Sequence, residues 1–362
     1  MHRTRTRTRT FFRLPRLLAS ALLALLPVAS AFAQQAWQAQ ASGTSAELRG
    51  LSVVSATVAW ASGAQGTVLR TTDGAHWQVI DVTGVADAAG LDFRDIHAID
   101  ARSALVMSAG PGALSRIYRT DNGGASWRLL ATNQFADGFW DAMAFWDADN
   151  GIVFGDPVKG RFQVYVTADG GTNWRQLDGK GLDALDNEGA FAASGSCLSV
   201  AGARDAWIVS GGAVTARAFH SSDRGASWQA ALLPIPAGAA ARGAFSVAFL
   251  DARIGMAAGG DYKTPALDGI NGARSEDGGA TWSAAAILPA GYMSVVMPVP
   301  GAPASLVAAG LAGSGVSQDA GKTWRVLDRT PINTLGFASP RTGWAIGPKG
   351  LLMKYAGAAL GP

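Results

Sequence analysis

One stretch of eight residues decides the fold of this chain: Thr167-Ala168-Asp169-Gly170-Gly171-Thr172-Asn173-Trp174. Its pattern is Ser or Thr, then Asp two residues later, Gly four residues later and Trp seven residues later. Three further copies match it at every position, at 221–228, 275–282 and 317–324. Two copies depart from it, because 120–127 carries Asn122 in place of Asp and 71–77 is one residue short. A motif that recurs in this way predicts a chain built from one repeated structural unit.

Each unit contains four short apolar stretches bounded by Gly, Asp and Asn, a pattern typical of β-strands and hairpins. The third unit shows it best, at 141–146, 151–155, 162–167 and 174–177. The interval between units, roughly 40 to 55 residues, is that of propeller blades. We therefore predict an all-β, seven-bladed β-propeller whose units begin near Leu51, Phe93, Phe139, Phe191, Phe245, Ser294 and Leu335.

The seventh unit is incomplete at its end. Its segments 342–347 and 351–355 match the second and third strands of the first unit, but no Trp-terminated turn and no fourth strand follow. The segment 36–40 belongs to no unit and resembles the Trp-led fourth strands elsewhere. We predict that it closes the ring as the missing strand, which would cover an otherwise open sheet edge.

The first 33 residues have the features of a secretory signal peptide. Six arginines precede an apolar run at 17–28, and Ala31-Phe32-Ala33 offers a small-x-small cleavage site. The run is short for a membrane span, and no Cys follows it for lipid attachment. We expect cleavage after Ala33, a single propeller domain at 34–362, no membrane anchor, and a periplasmic or secreted location.

Cleavage would change the charge of the protein. Removal of six arginines with no acidic residue takes the formal net charge from +3 to −3. Nucleic acid is therefore an improbable partner, since phosphate binding relies on clustered Lys and Arg. Cys197 is the sole cysteine, so no intramolecular disulfide is expected. We expect a monomer.

The repeated turn is interpreted as structural. Asp suits a tight turn as an acceptor of backbone N–H bonds, Gly takes a positive φ, and Trp packs between strands. One carboxylate per turn falls short of the oxygens that Ca²⁺ needs. Scattered histidines and the lack of haem or dinucleotide motifs predict no metal and no cofactor. The residues assigned to this role are Asp73, Asn122, Asp169, Asp223, Asp277 and Asp319, with Trp77, Trp127, Trp174, Trp228, Trp282 and Trp324.

These turns resemble the Asp-box, or bacterial neuraminidase repeat, of sialidase-like propellers. The stretches 66–74 and 343–347 are similar to the photosystem II stability/assembly factor family and its non-photosynthetic bacterial relatives. The resemblance covers essentially the whole chain after residue 33. It implies a propeller that acts as a scaffold for a partner protein, here in the cell envelope, and it does not imply that the partner is a photosystem.

The candidate binding residues lie in loops opposite the Asp-box turns. In a propeller, the loops from second to third strands and from fourth strands to the next blade share one face. Unusual charged residues fall there and are expected to surround a central funnel that binds a protein partner, or a small polar or sugar ligand. They are Asp156, Arg161, Glu188, Arg217, Arg242, Asp261, Tyr262 and Lys263.

A sialidase-like glycoside hydrolase is the alternative. Such enzymes use a Tyr nucleophile and an arginine cluster. Those residue types are supplied by Tyr262 beside Asp261, with Glu188, Arg217 and Arg242. The Phe/Tyr-Arg-Ile-Pro signature of sialidases is missing near the first unit, and the arginine spacing differs from the sialidase triad. We therefore favour a non-catalytic binding protein with no catalytic residues.

Overall fold

The computed structural model describes residues 36–361, together with 1, 2, 4, 6 and 8–10. The chain divides into two units, 1–34 and 35–362. The apolar run and cleavage site of the predicted signal peptide lie outside the described residues. In the described part of the chain, no helix is long and apolar enough to cross a bilayer.

The second unit is a seven-bladed β-propeller, as predicted. Each blade is a four-stranded antiparallel sheet whose strands follow one another in sequence. Blades one to three consist of β2 (Leu48–Val53), β3 (Ala59–Gly63), β4 (Thr67–Thr71) and β5 (Gln78–Ile80); β6 (Phe93–Ala98), β7 (Ala104–Ser108), β8 (Arg116–Thr120) and β9 (Arg128–Thr132); and β10 (Trp140–Phe145), β11 (Asn150–Val158), β12 (Arg161–Ala168) and β13 (Arg175–Gln176).

Blades four to six are built in the same way. They consist of β14 (Leu198–Ala201), β15 (Asp205–Val209), β16 (Ala216–Ser221) and β17 (Gln229–Leu233); β18 (Arg242–Phe249), β19 (Gly255–Asp261), β20 (Gly272–Ser275) and β21 (Ser283–Ala285); and β22 (Val295–Val299), β23 (Ala302–Gly310), β24 (Gly313–Ser317) and β25 (Arg325–Asp328). Short 3-10 turns occur at Ala88–Gly90, Gly112–Leu114 and Pro348–Gly350.

The seventh blade joins the two ends of the propeller domain. It contains β26 (Thr334–Ser339), β27 (Thr342–Ile346) and β28 (Leu352–Tyr355), and its fourth strand is β1 (Trp37–Ala39). Trp37 pairs with Tyr355, and its indole N–H donates to Ser314 Oγ of blade six at 3.1 Å. The predicted ring closure by 36–40 is thus confirmed, and the strand contacts two blades at once.

Each Asp-box turn links the third and fourth strands of a blade through the same hydrogen bonds. In blade three, Thr167 Oγ1 donates to Asp169 Oδ1 at 2.8 Å, and the N–H of Asn173 donates to the same oxygen at 2.9 Å. Gly171 takes a φ of 84° and donates its N–H to Thr167 Oγ1 at 3.0 Å. These bonds stabilise the charged carboxylate and lower the pKa of Asp169.

The two irregular turns bond as closely as the regular ones. Asn122 accepts from Thr120 Oγ1 and from the N–H of Ser126, both at 3.0 Å. In the shortened turn, Asp73 accepts from the N–H groups of Ala75 and His76, both at 2.8 Å. Both irregular turns are therefore closed by a side-chain acceptor at distances similar to those in the regular copies.

We expect Asp223→Ala to lower the free energy of unfolding by about 1–2 kcal/mol, because three hydrogen bonds are lost. Asp223 accepts from Ser221 Oγ, Ser227 N–H and Ser227 Oγ at 2.8, 2.9 and 2.6 Å. Asp223→Asn keeps an acceptor, as Asn122 does naturally, and is expected to cost less than half as much. Urea unfolding of both variants measures the difference; equal losses would contradict the turn's reliance on the acceptor oxygen.

Blade four departs from the sequence prediction. The unit was expected to begin at Phe191, yet its innermost strand begins at Leu198. Residues 191–196 leave the sheet instead and contact other blades around the propeller axis. The run of small residues Ala192 to Ser196 permits this close packing, and Gly195 has a φ of 72°. We call residues 191–196 the axial segment.

Candidate functional site

The axial segment makes hydrogen bonds to five blades. Its main-chain carbonyls accept from Arg49, Arg94, Thr334 and Val247 N–H, and its serines donate to Ser294 O and contact Ser246 Oγ. The blades reached are one, two, seven, five and six. A segment that contacts the innermost strands of so many blades must occupy the axis, so the central channel is filled rather than open.

A cavity of about 500 Å³ lies beside the axial segment, and its wall is formed by residues of every blade except blade four, together with Ala190 and the axial segment itself. Its entrance is on the predicted face, because Leu311 and Pro348 lie between second and third strands while Tyr292 precedes blade six. The wall is formed by Glu47, Arg49, Arg94, Phe139, Asp141, Asp156, Ala190, Phe191, Ala192, Ala193, Phe245, Tyr262, Tyr292, Leu311, Asn333 and Pro348.

β-Bulges direct side chains into this cavity. The pairing of the first and second strands shifts by one residue at Arg49 in blade one and at Arg94 in blade two. It shifts in the same way at Asp141 in blade three and at Phe245 in blade five. A bulge leaves one residue unpaired and re-aims its side chain. Four equivalent residues from four blades thereby line one cavity.

The two arginines of the wall are already engaged. Arg49 Nη2 donates to Glu47 Oε1 at 3.3 Å, and Arg94 Nε donates to Asp92 Oδ2 at 2.7 Å. Each also donates to a carbonyl of the axial segment. Burial, and then the neighbouring positive charge of Arg94, lower the pKa of Arg49. Both guanidinium groups therefore hold the axial segment in place as well as facing the cavity.

Two carboxyl groups of blade three face the arginines. Asp141 is 1% exposed, and neither of its side-chain oxygens has a hydrogen-bond partner within normal geometry in the described structure. Burial, followed by the charge of Asp156, raises its pKa well above the ordinary value; Arg94 and the nearby N–H groups of Asp156 and Ala192 oppose this only in part. Asp156 Oδ1 accepts from Ala190 N–H at 2.7 Å, and burial raises its pKa to about 6.

A third carboxyl group, Asp95, lies next to the axial segment but not on the cavity wall. Its oxygens accept from the N–H groups of Ile96 and Met143 at 2.8 and 2.7 Å, which joins blades two and three. Burial raises its pKa to about 7. A Cβ added to Gly195 would lie 2.5 Å from Asp95 Oδ1, so this position requires glycine. Asp95 is thus part of the packing around the axis.

Aromatic rings form the apolar part of the wall. Phe191 of the axial segment stacks on Phe245, with ring centroids 3.8 Å apart. Tyr292 and Tyr262 meet Phe245 edge-on at 4.8 and 6.1 Å. Tyr292 is buried, which raises its pKa, whereas Tyr262 is 43% exposed. Tyr262 therefore stands at the entrance, where an incoming ligand would meet it first.

Of the eight candidate binding residues, Asp156 and Tyr262 lie on the wall of this cavity. The other six lie elsewhere in pairs or in solvent. Arg161 pairs with Asp183 at 2.8 Å, Arg242 pairs with Asp261 at 2.8 Å, and Lys263 is exposed. Glu188 and Arg217 form a buried ion pair that also receives bonds from Ser210 Oγ and Leu185 N–H.

The sequence analysis missed Arg49, Arg94, Asp141 and Tyr292. A signal was present, because Arg49, Arg94 and Asp141 are charged residues inside otherwise apolar first strands at equivalent places in three units. A polar residue in a buried strand calls for an explanation more than one in a loop does.

No group of three or more metal-ligating side chains comes together among the residues that the structure describes. His97 stacks on Phe145, while His220 and His76 pair with Asp205 and Asp73. The cavity wall offers two adjacent carboxyl groups, two engaged arginines and an aromatic face. This arrangement suits the binding of a polar group next to an apolar one.

We expect the melting temperature to fall as pH rises from about 5 to 8. Folding raises the pKa of Asp156 to about 6 and of Asp95 to about 7, from 3.8. Their stabilising contribution is complete below pH 4 and is lost as pH rises through the folded-state values. Asp319 has the opposite effect on stability in acid. Its pKa is lowered to about 2, so its stabilising contribution is lost as pH falls below about 4. Calorimetry at pH 4 to 8 checks this; a melting temperature that rises over pH 5 to 8 would contradict it.

No protein-family model and no curated protein matches the chain. Solved structures do match. YCF48 bound to a D1 peptide aligns over 90% of this chain and 98% of its own, with 19% identity and a TM-score of 0.62. YCF48 from Cyanidioschyzon merolae aligns over 88% and 98%, with 17% identity and a TM-score of 0.63. An ancestral GH74 enzyme aligns over 90% of this chain and 47% of its own, with 13% identity and a TM-score of 0.60. These likenesses confirm the propeller fold expected from the resemblance to the assembly factors.

Proposed function

We propose that this protein is a non-catalytic propeller that binds a short segment of a partner protein in the axial cavity. The observation that carries the proposal is one cavity walled by six blades and the axial segment, with charged and aromatic side chains directed into it by β-bulges. The structure of YCF48 with a D1 peptide supports it, because a propeller of the same fold binds a peptide.

The filled axis determines how a partner would enter. The axial segment blocks passage through the propeller, so a ligand enters from the face where Tyr262 and Pro348 lie. A volume of about 500 Å³ is within the range of small-ligand sites and accommodates only a few residues. We propose that a terminus or the tip of a loop of the partner enters, while the surrounding loops contact the rest of its surface.

Catalysis of glycoside hydrolysis is the second candidate, because two carboxyl groups face one cavity, as glycosidases require. A sialidase-like route fits less well. Tyr292 is buried and its pKa is raised, which disfavours a nucleophilic phenolate, and Glu188 is held by Arg217 away from the cavity. Turnover of a fluorogenic glycoside panel, lost in both Asp141→Asn and Asp156→Asn, would establish this alternative.

Site-specific photocrosslinking tests the binding proposal. A photoreactive amino acid replaces Tyr262 at the entrance or, as a matched control, Arg161, which lies outside the cavity wall. We expect position 262 to crosslink one protein through one peptide identified by mass spectrometry, and position 161 to do so at least fivefold less. Equal yields from both positions would contradict the assignment of the cavity.

We further propose that the protein acts in the cell envelope after removal of residues 1–33. The arginine-rich start and the apolar run support this. Mass spectrometry of the protein from fractionated cells is expected to find a mature amino terminus at Gln34 in the periplasmic or secreted fraction. An intact Met1 terminus in the cytoplasm would contradict the proposal and would remove the envelope as the source of the partner.

A further inference from the structure

We propose that Asp141 and Asp156 form a subsite for a primary ammonium group of the ligand. The inference rests on the proposed function, since it concerns the same cavity, and it specifies which chemical group of the partner enters first. The group would come from a lysine side chain or from a free amino terminus, which share this chemistry.

The first argument is the state of Asp141. Buried polar atoms in native proteins nearly always have hydrogen-bond partners. Asp141 is buried in the cavity wall, and neither of its carboxyl oxygens has a hydrogen-bond partner of normal geometry among the described residues, although the N–H groups of Asp156 and Ala192 lie near it. Asp141 is the unpaired residue of a β-bulge, which re-aims its side chain. Acceptors in a cavity wall that lack such bonds indicate a ligand that donates hydrogen bonds.

The second argument is the balance of charge. The ionisable acids on the wall are Glu47, Asp141 and Asp156, against Arg49 and Arg94. Both arginines already bind an acidic side chain and a carbonyl of the axial segment. Among the described residues, neither Asp141 nor Asp156 forms a direct ion pair, although the charge of Arg94 acts on Asp141 from nearby. A cation is therefore the ligand group that compensates the wall, whereas an anion would have to displace existing bonds.

The third argument distinguishes among cations. Calcium takes six or more oxygen ligands, and the two aspartates are far from that number. A primary ammonium group is compact and donates three hydrogen bonds, which matches two adjacent carboxyl groups. The stacked rings of Phe191 and Phe245 lie on the same wall and offer an apolar surface to the carbon atoms that carry the amine.

Proton linkage follows from the burial of the pair. The charged and titratable groups around it are Glu47 and Arg49, Asp92, Arg94 and Asp95, Cys197, Tyr262 and Tyr292. Burial raises the pKa values of Asp141 and Asp156, so in the free protein protons compete with a cation. An ammonium group favours the ionised pair, so binding releases protons and strengthens as pH rises from about 5 to 8.

The test is a titration of the whole mature protein, followed by NMR or calorimetry, with probes that differ in one group. Nα-acetyl-lysine amide carries only the side-chain ammonium group, and leucine amide carries only the α-ammonium group. Nα-acetyl-norleucine amide has neither. We expect one or both amines to bind at least about tenfold more tightly than acetyl-norleucine amide. Whichever amine binds identifies the source; equal binding of all three probes would overturn the proposal.

Variants separate the subsite from the proposed function. We expect Asp141→Asn and Asp156→Asn each to weaken amine binding about tenfold and to flatten its pH dependence, with Arg161→Ala unchanged. Asp156→Asn retains an acceptor for Ala190 N–H, so it preserves the loop if Asp141→Asn disturbs folding. If position 262 crosslinks its partner equally well with and without the Asp141→Asn and Asp156→Asn changes, the ammonium subsite alone is rejected. If position 262 gives no crosslink in the otherwise wild-type protein, the binding function itself is rejected.

Discussion

Truncation of Trp37 to alanine is expected to lower the free energy of unfolding by about 3–5 kcal/mol, the usual cost of removing a large buried aromatic side chain. Trp37 is 1% exposed and packs against Phe337 and Tyr355, with ring centroids 5.9 and 5.4 Å away. Its indole N–H also reaches Ser314 of blade six. The loss acts on ring closure, because this segment supplies the fourth strand of blade seven.

Gln38→Ala provides the matched control. Gln38 lies on the same strand and is exposed, while its backbone keeps the pairing with Lys354. We expect it to change stability by less than about 0.5 kcal/mol. Urea unfolding followed by tryptophan fluorescence and by circular dichroism measures both variants. If Trp37→Ala were as stable as Gln38→Ala, the closing strand would contribute little and the ring would be stable while open.

Replacement of Glu188 by alanine is expected to lower the free energy of unfolding by about 3–5 kcal/mol, because it leaves the largely buried Arg217 guanidinium without its countercharge. The Glu188 side chain is fully buried and Arg217 is 12% exposed. Arg217 Nε donates to Glu188 Oε1 at 2.8 Å, and Ser210 Oγ and Leu185 N–H also donate to the carboxylate. The pair thereby holds the loop at 185–189 against blade four.

A double variant tests this explanation. Glu188→Ala with Arg217→Ala removes both charges, and we expect it to cost less than the sum of the two single variants by at least about 1 kcal/mol. Chemical unfolding of the four proteins gives the coupling energy. If Glu188→Ala instead kept normal stability and abolished crosslinking at position 262, Glu188 would be a binding residue, as first hypothesised, rather than part of the framework.

Ring closure and blade number could be predicted from the sequence because they depend on repetition. The Asp-box turns need Asp, Gly and Trp at set offsets within eight residues, and the sequence meets those local requirements in four copies and nearly meets them in two more. The seventh unit lacks a fourth strand, and the segment 36–40 belongs to no unit, so the sequence indicates that this segment supplies the missing strand. The predicted start of blade four at Phe191 was wrong, since the apolar content of 191–197 suits a strand and a buried axial segment equally.

The candidate site was predictable only in part. Asp156 and Tyr262, chosen from loop topology, lie on the cavity wall, but the rest of the wall depends on where β-bulges fall in first strands. The charged residues Arg49, Arg94 and Asp141 stand out within those strands, yet a bulge changes the direction of a side chain without changing composition or spacing, so the sequence does not show where they point. Likewise, the pairing of Glu188 with Arg217 joins residues 29 positions apart.

The sequence by itself determined the strands, the turns, the number of blades and the strand that closes the ring, because each depends on contacts among residues near one another or on the count of repeats. The tertiary structure alone decided that the axis is filled by residues 191–196 and that two buried carboxyl groups share a cavity with two arginines. Those features depend on side chains from different blades meeting at the axis, and their long-range geometry sets the burial that shifts the carboxyl pKa values.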